Sequence, residues 1–497
     1  MIELSLANGF AVICVGTLTY IISMVFYNLY LHPLSKFPGP KLWAAFQFPY
    51  LQAMLAGRVS FQIKELHDLH GPIVRISPNE LSIIDPEAWK EIYMNKEFIR
   101  PPQFRERPPG VEAHSFISAG VVDHARFRKA IAPAFSEKAV RLQEPIITQY
   151  IDLMIKKLRE KVEGKTDLVV IDVVQWINFT TFDIISDLGW GESFHCLEKQ
   201  DYHPWMTVIL QFKALLIGMS INYYPLLKTL VSYITPASAL AGLKLVLDTS
   251  EQNVKARLAR KTNRPDMMSY ILSHNESSPT ARMTEDEMIA NSMAVIVAGS
   301  ETLTAALAGT INALLTHTKE RETLVQEIRS SFKNEEDITA QSIKPLPYLT
   351  AVLQEGMRLY PPLPDNMHRS VPTGGAIIAG HHLPEGVAVG MPCYSTFRSQ
   401  TNFSQPDEFL PGRWLPEHQE EFPKDKKEAY NPFSLGVHGC LGQQLAWAEL
   451  RVILARLVWN FDIAIPEGKK PLVWESQKIF WAWQKDGVDV QLSLAAR

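Results

Sequence analysis

Phe433-Ser434-Leu435-Gly436-Val437-His438-Gly439-Cys440-Leu441-Gly442 is the stretch that decides the fold. It places one cysteine in a loop studded with glycines, which let a backbone bend close to a flat group. An amphipathic run follows from Gln443 to Asn460, with Ala446, Leu450, Ile453, Leu454 and Leu457 on its apolar stripe. N–H groups of such a loop, together with the start of the next helix, can donate to a thiolate. The other cysteines are Cys14, Cys196 and Cys393, none in C-x-x-C spacing. Four cysteines in 497 residues build no disulfide framework and make zinc a poor reading. Folding therefore needs no thiol at Cys440, and the other three read as small buried or lipid-facing side chains.

Upstream, Thr284-Glu285-Asp286-Glu287 fits a capping box, and a proline-free helical pattern runs from it to about His317. Such a helix is roughly 50 Å long, enough to cross a domain. At its middle lie Ala298, Gly299, Ser300, Glu301 and Thr302. Gly in mid-helix costs about 1 kcal/mol against Ala, and Ala298 with Gly299 leaves a flat patch where a planar cofactor or a small ligand fits. Glu301 and Thr302 are polar where flanking Met293, Val295, Ile296, Leu303 and Leu307 predict burial. A further helix from Tyr348 to Tyr360 ends at Pro361-Pro362 and carries Glu355 and Arg358, three apart on one face. Pro411-Gly412-Arg413-Trp414 and a charged segment over 417–428 precede the cysteine loop.

At the N-terminus no charge occurs from Leu4 to Phe26. A helix of that length spans roughly 34 Å, against a hydrocarbon core of ~30 Å. Glu3, the lack of an early Lys or Arg and the length of the run argue against a cleaved signal. Tyr27, Tyr30 and His32 suit the interface, and Lys36 and Lys41 put the remainder on the cytoplasmic side. Residues 1–31 thus read as a membrane anchor and 32–41, with Pro33, Pro38 and Pro40, as a stiff hinge. The remainder, residues 42–497, is long enough for one large domain or for two or three. In it, 73–76 and 81–84 are predicted strands, 85–93 and 123–135 predicted helices, and 100–120 a long loop. The apolar stretch 206–220 is too short to cross a bilayer and leaves core, lid and membrane-dipping surface open. The composition, 46% hydrophobic and 21% charged with net charge -4, is that of a large buried core with no nucleic-acid partner.

Together these segments identify a family by resemblance. Phe433–Gly442 resembles the haem-binding signature of the cytochrome P450 monooxygenases, 298–302 their oxygen-binding motif, Glu355-x-x-Arg358 their E-x-x-R pair, and Pro411–Trp414 the motif whose Arg joins that pair. The anchor and hinge are similar to microsomal members, and 362–367 to fungal members of specialised metabolism. The resemblance implies a mainly α fold with small β-sheets behind a single transmembrane helix, with residues 42–497 as the catalytic domain. It implies haem b held by Cys440, with Phe433 packing near the sulfur and Gly436, Ala298 and Gly299 against the ring. His124, Arg128, Arg369 and His438 take positions that pair with propionates, although Trp is frequent in place of His124 and Arg in place of His438. Imidazole titrates near neutrality, so haem retention is expected to be more pH-sensitive than with Arg. Thr302 is expected as the proton-relay hydroxyl, with Glu301 drawing protons from water, and Glu355, Arg358 and Arg413 as a structural triad. The implied activity is oxidation of a lipophilic small molecule, such as a terpenoid, polyketide or alkaloid, with O2 and NADPH-derived electrons. A separate NADPH–cytochrome P450 reductase is expected, for which Arg126 and Lys129 are candidate contacts, at the endoplasmic reticulum membrane and in contact with its lipid. Glu301 and Thr302 argue against an O2-independent isomerase or dehydratase, and NADPH turnover would separate an enzyme from a non-catalytic haem-binding protein.

Overall fold

The computed structural model describes residues 6–105, 107, 110–164, 169–209, 212–224 and 236–495. Part of the long loop at 100–120 and part of the 206–220 stretch lie outside the described residues. Helix α1 (Leu6–Phe26) runs straight out of the protein and is exposed along its length, and one π-helical turn, Tyr27–Leu31, continues it. Among the described residues two helices are long and apolar enough to cross a membrane, and burial separates them. Gly9–Leu31 is uncovered, whereas Glu285–Thr316 is packed inside the protein.

The expected hinge is not a free linker. Leu34 and Phe37 are buried in a core with Leu81, Trp89 and Val389. Asn28 donates from Nδ2 to the Ala45 carbonyl at 2.9 Å, and Arg75 donates from Nη1 to the Asn28 carbonyl at 2.7 Å. The prolines stiffen the segment, and these contacts dock it.

The small sheet behind the hinge contains β1 (Ile73–Ser77) and β2 (Glu80–Ile83), as predicted, paired antiparallel. The helix expected over 85–93 forms only as a π-helical turn, Trp89–Tyr93. Helix α2 (Val121–Ile131) passes into a 3-10 turn, Ala132–Phe135, where Pro133 cannot continue α-helical bonding. Helices α3 (Glu137–Val162) and α4 (Val173–Trp190) flank strand β3 (Val169–Asp172). Asp172 caps α4, accepting from the Val174 N–H at 3.0 Å.

The central element is α5 (Glu285–Thr316), whose capping box is complete: Thr284 Oγ1 accepts from Glu287 N–H, and Glu287 returns the bond to Thr284 N–H. It packs along α4 and against α6 (Pro347–Leu359). Both crossings use glycine. A Cβ on Gly299 would stand 2.7 Å from Ile185 Cγ1 on α4, and one on Gly356 of α6 would overlap Thr310 Oγ1 on α5. Strands β4 (Arg369–Ser370) and β5 (Ala388–Gly390) complete the first sheet in the order β1-β2-β5-β4. After α7 (Gln443–Asn460), β6 (Phe461–Ala464), the hairpin β7 (Lys478–Phe480) and β8 (Ala482–Gln484), and β9 (Asp489–Leu494) close the chain. Strand β9 lies between β3 and β6, so the C-terminus is tied to the start of α4. The fold is mainly α with small sheets.

Candidate functional site

The cysteine loop is built by its own backbone. Cys440 N–H donates to the Phe433 carbonyl at 2.8 Å, closing the stretch on itself. Gly436 sits at φ +68°, and any Cβ there would run into the Tyr93 carbonyl. Its missing side chain thus serves loop packing on the Trp89–Tyr93 turn. The Phe433 ring packs at 5.9 Å from Trp447, one turn into α7. Cys440 keeps one open face, although the surrounding protein pushes its thiol up by burial. A hydrogen bond from Gly442 N–H and the Arg128 charge act the other way and favour thiolate.

Around this loop five basic side chains converge. Arg128 donates from Nη1 to the Gly439 carbonyl at 2.7 Å, and His438 Nδ1 lies 3.0 Å from His124 Nε2. Arg369 is buried over the Tyr93 ring, 5.0 Å from its centroid. Arg100 is the fifth member, and its guanidinium donates to the Ile117 carbonyl. Burial lowers Arg100 to about 10, with Arg369 and Arg128 adding to the effect. Burial, then Arg100, lowers His124 to about 4; burial, then Arg369, lowers His438 to about 2. The two imidazoles are thus neutral beside three guanidiniums. Among the described residues no carboxylate pairs with any of the five. A buried group of cations lacking an anion fits a dianionic ligand such as the propionates of haem, with Cys440 as the sulfur donor. Sequence reasoning missed Arg100 because it opens an irregular loop with no periodicity to read.

The long helix contributes an open patch. Ala298 is exposed while Val295, Ile296 and Ser300 around it are buried. A Cβ on Gly299 would meet Ile185, so this glycine serves the helix crossing. Thr302 is half-buried and donates from Oγ1 to the Ala298 carbonyl at 2.8 Å, leaving its lone pairs outward. Glu301 does not face water. Its side chain is 4% exposed, and its Oε2 accepts from the Nζ of Lys485, itself 5% exposed. Among the described residues no hydrogen bond joins Glu301 to Thr302.

The triad forms and is larger than expected. Glu355 takes two bonds from Arg358 at 2.8 Å, one from Arg413 Nε at 3.0 Å, one from Trp414 Nε1 at 2.9 Å and one from Leu410 N–H at 2.9 Å. Burial pushes its carboxyl up, but Arg358 and Arg413 outweigh that and hold it below the usual range. Arg413 also pairs with buried Asp425, a residue that sequence reasoning left within a charged segment. Trp414 packs with its ring centroid 4.7 Å from that of Tyr430, three residues before Phe433, which carries the brace to the cysteine loop. The basic residue expected at a reductase surface, Arg126, is instead bound to Asp123 and Glu287 and ties α2 to the start of α5. Lys129 is exposed.

A thiolate loop in a basic cradle, braced by buried charge and crossed by one long helix, defines the haem-thiolate class of protein. The cytochrome P450 family model matches residues 36–489, and the chain belongs to that family. It is 39% identical to cytochrome P450 monooxygenase atr2 of Stereocaulon alpinum over 99% of this chain and 97% of the relative. It is 39% identical to cytochrome P450 monooxygenase astJ of Aspergillus oryzae, over 92% of each chain. It is 38% identical to averantin hydroxylase of Dothistroma septosporum, over 96% of this chain and 89% of the relative. The protein is a haem-dependent monooxygenase of specialised metabolism that uses molecular oxygen on a small molecule.

Proposed function

We propose that the chain oxidises a lipophilic product of specialised metabolism, by hydroxylation, epoxidation or a related reaction, with electrons from NADPH delivered by a separate reductase. The observation that carries this reading is the anion-free cluster of Arg100, His124, Arg128, Arg369 and His438 beside Cys440. Haem held there supplies the redox chemistry that places one oxygen atom of O2 in the substrate and releases the other as water. Cys440 would provide the sulfur ligand, with Gly442 N–H and Arg128 placed to favour its thiolate against the effect of burial. The three guanidiniums would hold the propionates. Thr302 moves a proton through Oγ1, and Ala298 leaves room beside it. Glu355, Arg358 and Arg413 are structural.

The substrate class we put forward is a terpenoid, a polyketide or an alkaloid. Helix α1 spans the endoplasmic reticulum membrane once and leaves residues 42–497 in the cytoplasm, in contact with lipid at the anchor's base. Co-expression with a fungal reductase tests the reading. Reduced membranes exposed to carbon monoxide are expected to show the absorbance of thiolate-ligated haem, and extracts to lose one metabolite and gain its oxidised form. Thr302→Ala is expected to retain haem and divert electrons to hydrogen peroxide. Product per NADPH equal to wild type would remove Thr302 from the proton path.

A further inference from the structure

Glu301 and Lys485 lie 184 residues apart, yet their charged ends meet inside the protein. Each is nearly inaccessible, and Glu301 Oε1 is buried without a hydrogen-bond partner. Stability does not account for such an arrangement. Two desolvated charges cost about as much as they return, and an apolar pair of similar volume is commonly as stable or more so. A bare buried acceptor adds about 1–3 kcal/mol of further cost.

Lys485 is also held by a built device. It lies two residues after Trp483, whose Nε1 donates to the Pro361 carbonyl at 2.8 Å. The next residue, Asp486, donates its N–H to Gln477 Oε1 at 2.7 Å. Gly487 lies so close to Asp172 that a Cβ would stand 2.8 Å from Oδ2, and Val488 N–H donates to Asp172 Oδ1 at 3.1 Å. The segment after β8 is therefore pinned on two sides and presents the ammonium group from a fixed base. Among the described residues, the Tyr202 phenol lies near Glu301, and Asp172 lies near Tyr202 in turn. Burial first, opposed by the Asn178 hydrogen bond and aided by Asp172 and Glu301, pushes Tyr202 up to about 12, so it stays a neutral donor.

Resting on the monooxygenase reading above, we propose that Lys485 is a positioning residue for that reaction. It ties Glu301 through Oε2 in one orientation as a carboxylate and leaves Oε1 bare. Oε1 is then the interior acceptor at which a proton arriving through buried water or the Tyr202 hydroxyl is held, one residue from Thr302. The proton moves between oxygen atoms, and no other bond changes. Without the ammonium group, a carboxyl in these surroundings keeps its own proton, and Oε1 or Oε2 is blocked.

The test uses full-length protein in wild-type, Lys485→Met, Lys485→Arg, Glu301→Gln and Lys485→Met/Glu301→Gln forms. The double variant, with no buried charge left, guards against failure of Lys485→Met to fold. In the infrared, a protonated buried carboxyl absorbs apart from carboxylates. At neutral pH Lys485→Met is expected to gain such a band, absent from wild type and Lys485→Arg and lost in the double variant. With reductase, Lys485→Met is expected to lose product per NADPH by roughly tenfold. It should recover as the pH is raised and the carboxyl ionises, while Lys485→Arg stays near wild type. A Lys485→Met protein with the wild-type band pattern, or with the wild-type pH profile of coupling, would overturn the proposal. A wild type lacking the thiolate–haem absorbance would overturn the parent reading instead, and the infrared bands would still report on Lys485.

Discussion

Gly356 of α6 lies directly against Thr310 of α5, so that a Cβ on Gly356 would overlap Thr310 Oγ1. The contact joins two of the site's main supports, because Gly356 stands between Glu355 and Arg358, and Thr310 is two turns along from Thr302. Thr310 cannot give way easily, since its Oγ1 donates to the Ala306 carbonyl at 2.7 Å and its side chain is fully buried. Gly356→Ala should therefore separate the helices rather than rotate a side chain. Overpacking of this kind costs about 1–3 kcal/mol. The expected outcome is a lower melting temperature and less holoprotein by the carbon monoxide spectrum, and Thr310→Ser, which deletes the nearby methyl group, should restore little because the hydroxyl remains.

The Glu355 cluster carries a second prediction. Arg413 neutralises both Glu355 and Asp425, and all three are essentially inaccessible. Arg413→Met leaves Asp425 without its cation and weakens Glu355, at a cost of about 3–5 kcal/mol. Arg413→Lys keeps the charge but not the planar fork that reaches Glu355, Asp425 and the Ser404 carbonyl together. Both variants should lower haem incorporation on expression, Arg413→Met the more, with little change in turnover per haem in the protein that survives. A large fall in turnover per haem would mean that the cluster does more than brace.

Local signals made much of this architecture readable. The capping box at Thr284 and the absence of proline announced α5 to within a residue of its ends, and the apolar stripe announced α7. The two strands at 73–84 were marked by the turn at Ser77–Asn79. What escaped depends on contacts distant in the chain. The partner of Glu301 comes from the segment between β8 and β9 near the C-terminus, and nothing near position 301 signals it. Asp425 is one acid among many charges at 417–428. Gly299 and Gly436 invite the reading of glycine beside a ligand, yet each is required by a neighbouring chain segment, Ile185 in one case and the Tyr93 carbonyl in the other. A glycine shows that something approaches closely; only the fold shows what.

His67 provides a prediction that does not depend on the site. It is buried, its Nδ1 donates to the Gly71 carbonyl at 2.9 Å, and its Nε2 accepts from Ser82 Oγ at 2.8 Å. Burial lowers it from 6.5 to about 4, against the opposing hydrogen bond to Gly71. The folded state therefore keeps the ring neutral while the unfolded chain protonates it below about pH 6.5. Between those two values the unfolded state binds the extra proton, so stability is full above pH 6.5 and falls as pH drops toward 4. Each pH unit in that window removes about 1.4 kcal/mol at most. Melting temperature followed from pH 7 to pH 4 should fall less steeply in His67→Gln than in wild type, since glutamine offers a donor and an acceptor without titrating.

The docked anchor leads to the last prediction. Arg75 is 2% exposed and donates from Nη1 to the Asn28 carbonyl at 2.7 Å and from Nη2 to the Pro78 carbonyl at 2.6 Å. Its own N–H donates to the Pro38 carbonyl at 2.8 Å, and Gly39 is pressed against its carbonyl. One residue of β1 therefore holds both the end of the anchor and the proline segment. Arg75→Ala deletes two hydrogen bonds from a charged donor, each worth about 1.5–3 kcal/mol, and leaves a space beneath Asn28. The sheet, however, keeps its backbone pairing, and the cysteine loop does not touch Arg75. The expected result in membranes is local: protease cuts within 32–41 much faster than in wild type, while the released domain retains haem. Equal cleavage rates would show that burial of Leu34 and Phe37 holds the segment without Arg75, and the variant pair Leu34→Ala and Phe37→Ala would then be the more damaging one.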